Sequence, residues 1–345
     1  MEHILAIDVG SGTQDILIYD PSKEMENNVK LILPSQTQII SREINEAAAD
    51  GKDIFLHGKV MGGGASTKAV KEHLHKGLKV YSTKEAAYTF KDNLDRVKEQ
   101  GIIITEDPPK DALPIELKDV DTENLSKALA HFGLDVPANY AIALQDHGYS
   151  PDESNRRFRF RHWEKFLDDG GDILNLVYEN EIPDYFTRML AVKNYLGQGA
   201  FMDTGSAAIL GALEDEKVEK KYNERGCLLV NVGNQHTIAF LIHRGKVYGV
   251  FEHHTGALSA ETLYGYLEKF KKAELTNEQV FDEKGHGCKI LEEAKEFSWD
   301  FTAVTGPKRN MAADFGYLAV PHGDMMLSGC YGLVRGVLLA RGEKK

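Results

Sequence analysis

Cysteine is scarce in this chain. Cys227, Cys288 and Cys330 are its three thiols in 345 residues, and none lies in a Cys-x-x-Cys pair. That spacing indicates neither a zinc ribbon nor a disulfide framework. It also lacks the closely spaced thiolates that a radical enzyme's iron–sulfur cluster needs. Basic charge is in deficit as well. Lys and Arg total 41 against 53 Asp and Glu, a formal net charge of −12, so a nucleic-acid surface, which needs a basic face, is not expected. No apolar run approaches the roughly 18 residues of a membrane span, and no basic segment with an apolar run opens the chain. The expectation is a protein without a membrane partner in a reducing, cytoplasmic setting. What remains is ordinary. Hydrophobic residues make up 42% and charged residues 27%, close to globular averages, and the length suggests two domains.

Within that background two short apolar runs flank a polar knot, "ILAIDVGSGTQDILIYD". The runs, 4–9 and 15–19, read as buried strands. The knot is longer than a two-residue hairpin turn and carries two carboxylates and two hydroxyls. Gly10 and Gly12 let the turn take unusual dihedrals and let backbone approach a ligand closely. Successive N–H groups there form an anion nest, to which Ser11 and Thr13 add hydroxyl donors. Asp8, at the strand end, suits Mg²⁺, which takes a carboxylate or two beside phosphate oxygens. A second knot, "NVGNQHT" (231–237), also sits between two apolar strands. One such turn is weak; a pair, one in each half, suggests two bends reaching a polyphosphate from opposite sides of a cleft.

Between the knots the texture varies. Extended structure is expected around 29–41. From 53 to 106 the pattern strand–helix–strand–helix–strand predicts a small α/β insertion, with one long helix over 83–101 and a Pro-rich exit at 106–114. Residues 153–196 read as helix interrupted near Gly170-Gly171 and Pro183. Further helices are expected at 259–272 and 276–297, a strand in "DFTAVTGPKRN", and a terminal helix from 323 to 340.

The order of these pieces resembles the actin-like ATPase superfamily: actin, sugar kinases, heat-shock chaperone ATPases and ATP-dependent dehydratase activators. "IDVGSGTQD" looks like its first phosphate loop and "DTGSAAILGALED" (203–215) like its first connecting helix. "LLVNVGNQHTIAFLI" (228–242) looks like the second phosphate loop and "AVTGPKRN" (303–310) like the adenosine loop. "GDMMLSGCYGLVRGVLLA" (323–340) looks like the second connecting helix. The resemblance implies an α/β actin-like fold: two α/β domains, 1–215 and 216–345, each with a mixed five-stranded sheet, and a nucleotide cleft between them. The first would carry the 53–106 insertion and the second a helical insertion over 259–297. It implies ATP and Mg²⁺, with Asp8 as metal and catalytic residue and Gly10, Ser11, Gly12 and Thr13 at the phosphates. Gly233, Asn234, Gln235 and His236 would face them, and Gly306, Lys308 and Arg309 would lie against adenosine. One position departs. Asn231 stands where much of the superfamily has an aspartate, and an amide neither acts as a base nor carries charge to a metal. The whole chain also resembles a prokaryotic family sometimes labelled as a pyruvate formate-lyase activating protein. Such activators carry a three-cysteine cluster motif, which this sequence lacks.

Other features keep two readings each. "AIALQDHGYS" loosely resembles the Gln-x-x-Gly strand end that borders substrate in carbohydrate kinases. Asp146 or His147 would then be a general base; otherwise the stretch is a surface turn. "SNRRFRFRHWEKF" (154–166) is either an anionic-substrate or partner site, since arginines grip carboxylate and phosphate, or a solvated helix face paired to acids. "MGGGASTK" (61–68) lacks P-loop spacing and is a cleft contact or a tight turn. His253-His254 and "GHGC", with His286 and Cys288, invite a metal reading, but neither has a complete ligand set by spacing. The functions in view are an Mg-ATP-dependent kinase acting on a small molecule, a slow ATPase switch acting on a protein partner, and a filament-forming scaffold. A homodimer is left open.

Overall fold

The structure, a computed structural model, describes residues 2–179 and 181–343. Strands β1 (Ile4–Val9), β2 (Thr13–Tyr19) and β3 (Val29–Pro34) form an antiparallel meander. The apolar run of β1 is unbroken because both its faces are covered. Ile4 and Ala6 enter one core, while Leu5, Ile7 and Val9 enter another.

The chain then leaves this sheet. Helix α1 (Gln36–Ala49), β4 (Ile54–Gly58), α2 (Gly64–His75), β5 (Val80–Ser82), α3 (Lys84–Ala87), α4 (Leu94–Glu99), β6 (Ile102–Ile104) and β7 (Leu113–Leu117) build a separate parallel sheet of order β6-β5-β4-β7. Three expectations change here. The extended reading of 29–41 stops at β3, because Ser35 begins α1. The long helix over 83–101 is two short ones. Asn93 caps a fresh start, its Oδ1 accepting the N–H groups of Asp95 and Arg96 at 3.0 and 3.3 Å, and an Asn so placed competes with helix continuation. The insertion also does not exit at 106–114. Residues 113–117 pair with β4 as an edge strand, where Pro114 costs no ladder bond, and Ile40, Ile44 and Ala47 of α1 join its core.

After α5 (Thr122–Ala130), β8 (Tyr140–Leu144) returns parallel to β1. Helices α6 (Asn155–Asp168) and α7 (Thr187–Leu196) follow, and β9 (Gly199–Met202) completes the first sheet in the order β3-β2-β1-β8-β9. Helix α8 (Thr204–Ala212) leaves from its last strand.

The second half repeats the plan. After α9 (Glu216–Arg225) come β10 (Cys227–Val232), β11 (His236–His243) and β12 (Lys246–His254), again an antiparallel meander. Then follow α10 (Ala260–Lys271), α11 (Asn277–Asp282), β13 (Gly287–Ile290), β14 (Thr302–Thr305), β15 (Tyr317–Leu318) and α12 (Ser328–Ala340). The sheet order is β13-β12-β11-β10-β14-β15, with β14 parallel to β10 and β15 parallel to β14. Without β13 this is the order of the first sheet. The expected five strands are six, because the helix predicted over 276–297 ends at Asp282. Lys284 turns to a φ of +71°, and 287–290 then pair with β12.

α8 and α12, the helices after the fifth strand of each repeat, cross between the sheets. A Cβ on Gly211 would lie 1.7 Å from the Ser328 carbonyl oxygen, and one on Gly332 would lie 1.8 Å from that of Ala207. Backbone meets backbone at this crossing, so both positions require glycine. One core joins the helices to the inner faces of both sheets.

Candidate functional site

The two knots are the same turn. Gly10 N–H donates to the Thr13 carbonyl at 2.9 Å, and Gly233 N–H donates to the His236 carbonyl at 2.9 Å. The flanking pairs also correspond, Val9 with Gln14 and Val232 with Thr237. Any side chain at the first position would strike that carbonyl, 2.9 Å away for Gly10 and 2.7 Å for Gly233. Gly10, Ser11 and Thr13 line one cavity of ≈ 360 Å³ together with Gly233, Asn234, Gln235 and His236, a size usual for small-molecule sites. The tips come close: a Cβ on Gly12 would lie 3.4 Å from Asn234 Nδ2. Gly12 itself faces an outer groove with α1 rather than this cavity.

Carboxylates form the floor. Asp8 and Asp15 are directly paired across β1 and β2. Asp8 Oδ1 accepts the Thr204 hydroxyl at 2.5 Å, from the first turn of α8. Its Oδ2 presses on the first turn of α12, where a Cβ on Gly329 would be 2.0 Å away. Desolvation, then the neighbouring Asp15, push Asp8 up to about 8, against the Thr204 bond; Asp203 adds to the rise. Asp15 is pushed up to about 7, by burial first, with Thr13 opposing and Asp324 assisting. Asp15 Oδ1 is buried without a hydrogen-bond partner. Burial and the neighbouring acids both favour the neutral form of this pair.

A buried charge network forms the back wall. Arg159 Nε donates to both oxygens of Glu252, at 2.8 and 3.0 Å, and its Nη1 donates to Asp203 Oδ2 at 2.9 Å and to the Asp146 carbonyl at 3.0 Å. Trp163 Nε1 donates to Glu252 at 3.0 Å, and His236 Nδ1 lies 3.1 Å from it. Although burial opposes it, Arg159 and the nearby histidines hold Glu252 well below the carboxylate range. The network ties α6 of the first half to β11 and β12 of the second.

The residues expected to act divide. Asp146 lines the cavity, but its oxygens are taken by the main-chain N–H groups of Gly148, Arg188 and Met189 at 2.8–2.9 Å. It anchors the start of α7 and is not free to serve as a base. Burial, partly offset by these bonds, raises it to about 6. His147 also lines the cavity, and burial followed by the charge of Arg159 keeps it neutral. Gly306 lines the cavity; Lys308 and Arg309 do not. Lys308 N–H bonds the Val232 carbonyl at 3.0 Å, and the Arg309 guanidinium bonds that of Ala319 at 3.0 Å. Asn231 lies against the Gly306 turn, where a Cβ would come 2.4 Å from its Oδ1.

The Arg-rich helix is no open anion patch. Arg159 is buried in the network above. Arg156 donates to the carbonyls of Phe281 and Gly285 at 3.2 and 2.6 Å, Arg157 stacks on Phe281, and Arg161 pairs with Glu153. Residues that sequence reasoning did not bring here include Asp203, Glu252 and 88–92, which line the cavity in the gap between α3 and α4. Gly62, Gly63 and Gly64 line it too, at the turn into α2.

Residues 61–311 match the family model described as "Putative pyruvate format-lyase activating enzyme (DUF1786)". The chain belongs to this family. Its three thiols do not fit the radical chemistry that the description names: Cys227, Cys288 and Cys330 are each buried, on β10, β13 and α12, and burial raises all three above the ordinary thiol range. A comparison with curated proteins finds no match. Among solved structures, the DUF1786 chain is similar to a Bacteroides thetaiotaomicron protein of actin-like ATPase fold and unknown function (8% identity, 96% of each chain, TM-score 0.36). It is also similar to the ethanolamine utilization protein EutJ of Carboxydothermus hydrogenoformans (10% identity, 97% of this chain and 90% of that one, TM-score 0.30). A third is a ROK family glucokinase from Streptomyces griseus, solved with glucose and AMPPNP (13% identity, 99% of each chain, TM-score 0.31). At these scores the pairings carry no weight of their own. The repeated strand order, the matched turns and the crossing helices do, and the fold is actin-like. No helix among the described residues is long and apolar enough to cross a membrane.

Proposed function

We propose that this DUF1786 protein is an Mg²⁺-nucleotide-dependent phosphotransferase acting on a small molecule. The observation that carries the reading is the identical pair of glycine turns on one cavity. Backbone N–H groups past the closing glycines, at 11–13 and 234–236, would hold a polyphosphate chain between the two halves. The rest of the cavity is acidic. Asp8, Asp15, Asp92, Asp119, Asp146, Asp203 and Glu252 line it against Lys91, Arg159 and Arg188. An anion enters such a space only with a cation, and Asp8 and Asp15 are the groups placed to hold one. Bound there, Mg²⁺ would neutralise charge on the transferring phosphoryl group. Gly62–Gly64 and residues 88–92 would shape the acceptor end, with His147 facing the acceptor. The glycine crossing of α8 and α12 would let the halves close and exclude water.

Asn231 favours a second reading, a slow ATPase switch, since the second turn brings no carboxylate to an attacking water. One experiment separates them. Thermal shift with ATP should show stabilisation that requires Mg²⁺. Phosphorus NMR with pooled sugars and carboxylic acids should then show a phosphorylated product. Inorganic phosphate alone would favour the switch. If no nucleotide shifts the melting temperature, with or without Mg²⁺, both readings fail.

A further inference from the structure

The cavity carries a second cluster that phosphate binding leaves unused. His147 follows β8, His236 opens β11, and His286 precedes β13. One ring nitrogen from each lies within 4.8 Å of the others. We propose that His147, His236 and His286 form a binding site for a divalent transition-metal ion of the zinc or iron(II) kind, open to the cavity on its fourth side.

Three observations converge. First, His286 is 1% exposed, and neither of its ring nitrogens has a hydrogen-bond partner. Buried polar atoms are nearly always paired; His73 is a buried ring with two unpaired nitrogens as well, but His286 alone of the two stands beside two other imidazoles. Second, Glu252, fully buried, lies 3.1 Å from His236 Nδ1. A carboxylate on one imidazole nitrogen fixes the tautomer and leaves the other for a metal. Third, the spacing is within reach of a metal. Metal–nitrogen bonds of ~2.05 Å at tetrahedral angles put donor atoms about 3.3 Å apart, within a small rotation of the rings.

The donor set excludes Mg²⁺, which prefers oxygen, and suits zinc or iron. Three protein ligands and an open face are the pattern of a reactive rather than a structural site. His147 and His236 line the cavity while His286 lies behind them, so the open face looks into the acceptor space. The site stands on these side chains alone and survives if no nucleotide binds.

The test uses untagged full-length protein, stripped with chelator and titrated with Zn²⁺ and Co²⁺. One ion per chain should bind, undisplaced by excess Mg²⁺. His236→Gln and His286→Gln should each weaken binding about 100-fold, and Glu252→Gln by about 10–100-fold. His75→Gln should leave it unchanged. Wild-type protein that takes up no Zn²⁺, or variants that keep wild-type affinity, would overturn the proposal. Should a variant fail to fold, X-ray absorption of the Co²⁺-loaded wild type decides: three imidazole donors sustain the site, and any other donor set overturns it.

Discussion

The two glycine turns share a backbone and differ in what surrounds it. Each closes with the same 2.9 Å bond from glycine N–H to a carbonyl three residues on. Around the first stand Asp8 and Asp15; at the matching places around the second stand Asn231 and Ile238. The first turn ends in Thr13 and the second in His236. The backbone of the turn is common to both halves, and the side chains around it are not. The first half presents acids suited to a hard cation. The second presents an amide, an aliphatic residue and an imidazole backed by Glu252. Asymmetry of charge, not of fold, is what makes the cavity a site.

The comparison requires the halves to stay in register, and the largest expected effect is there. Gly332→Ala places a methyl 1.8 Å from the Ala207 carbonyl. Neither helix can yield without moving a sheet, so the substitution should cost more than ~3 kcal/mol. Chemical denaturation measures it; a loss under ~1 kcal/mol would mean that the crossing is looser than drawn.

Next comes the division of labour between the turns. Asp8→Ala should abolish the Mg²⁺-dependent part of nucleotide affinity, on the order of 100-fold or ~2.7 kcal/mol. Asn231→Ala should change it far less. Calorimetry with and without Mg²⁺ reads both, and equal losses would erase the asymmetry. Asp8→Ala should not unfold the protein, since it removes a desolvated acid.

How far these roles were legible in the sequence follows the range of each signal. The turns were readable because strand, glycine and strand lie within about fifteen residues, and apolar runs bounded by glycine have few other meanings. The resemblance marked 203–215 and 323–340 as connecting helices, but their contact at Gly211 and Gly332 came with the fold. Asp15 was visible as the second carboxylate of its knot, though pairing in the sheet was needed to set it against Asp8. Arg159 and Glu252 stand 93 positions apart, and no spacing rule joins them. His147, His236 and His286 come from three separate strand ends, so only folding assembles them. The break at Asn93 was hidden by good helix formers on both sides, and β13 by a helical pattern that a left-handed Lys284 interrupts.

The acids of the first turn should also leave a pH signature that the second cannot. Asp15 has a folded-state value of about 7 against an ordinary 3.8. The folded chain therefore holds more protons than the unfolded one between about pH 4 and 7. Its stability relative to the unfolded chain is fully present below the lower value and falls as pH rises through the upper. In chelator, the melting temperature should drop over that window by the equivalent of on the order of 4 kcal/mol. Asp15→Asn should make the fall shallower, with Asp8 supplying what remains. A wild type that gains stability over the same window would contradict the protonated floor.

The smallest effect sharpens the comparison most. If the grip on phosphate is main-chain, removing the polar side chains at the two tips should matter little. Ser11 and Asn234 occupy corresponding places, each one residue past the glycine whose N–H closes the turn. Ser11→Ala and Asn234→Ala should each change nucleotide affinity less than about threefold, under ~0.7 kcal/mol. Neither alters a φ angle or the closing bond. Gly10→Ala, by contrast, sets a methyl 2.9 Å from the Thr13 carbonyl and reshapes the turn itself. The ratio between the two kinds of loss measures how much of the recognition is backbone. A tip substitution as damaging as the glycine would move recognition to the side chains, and the likeness of the two turns would then be one of shape alone.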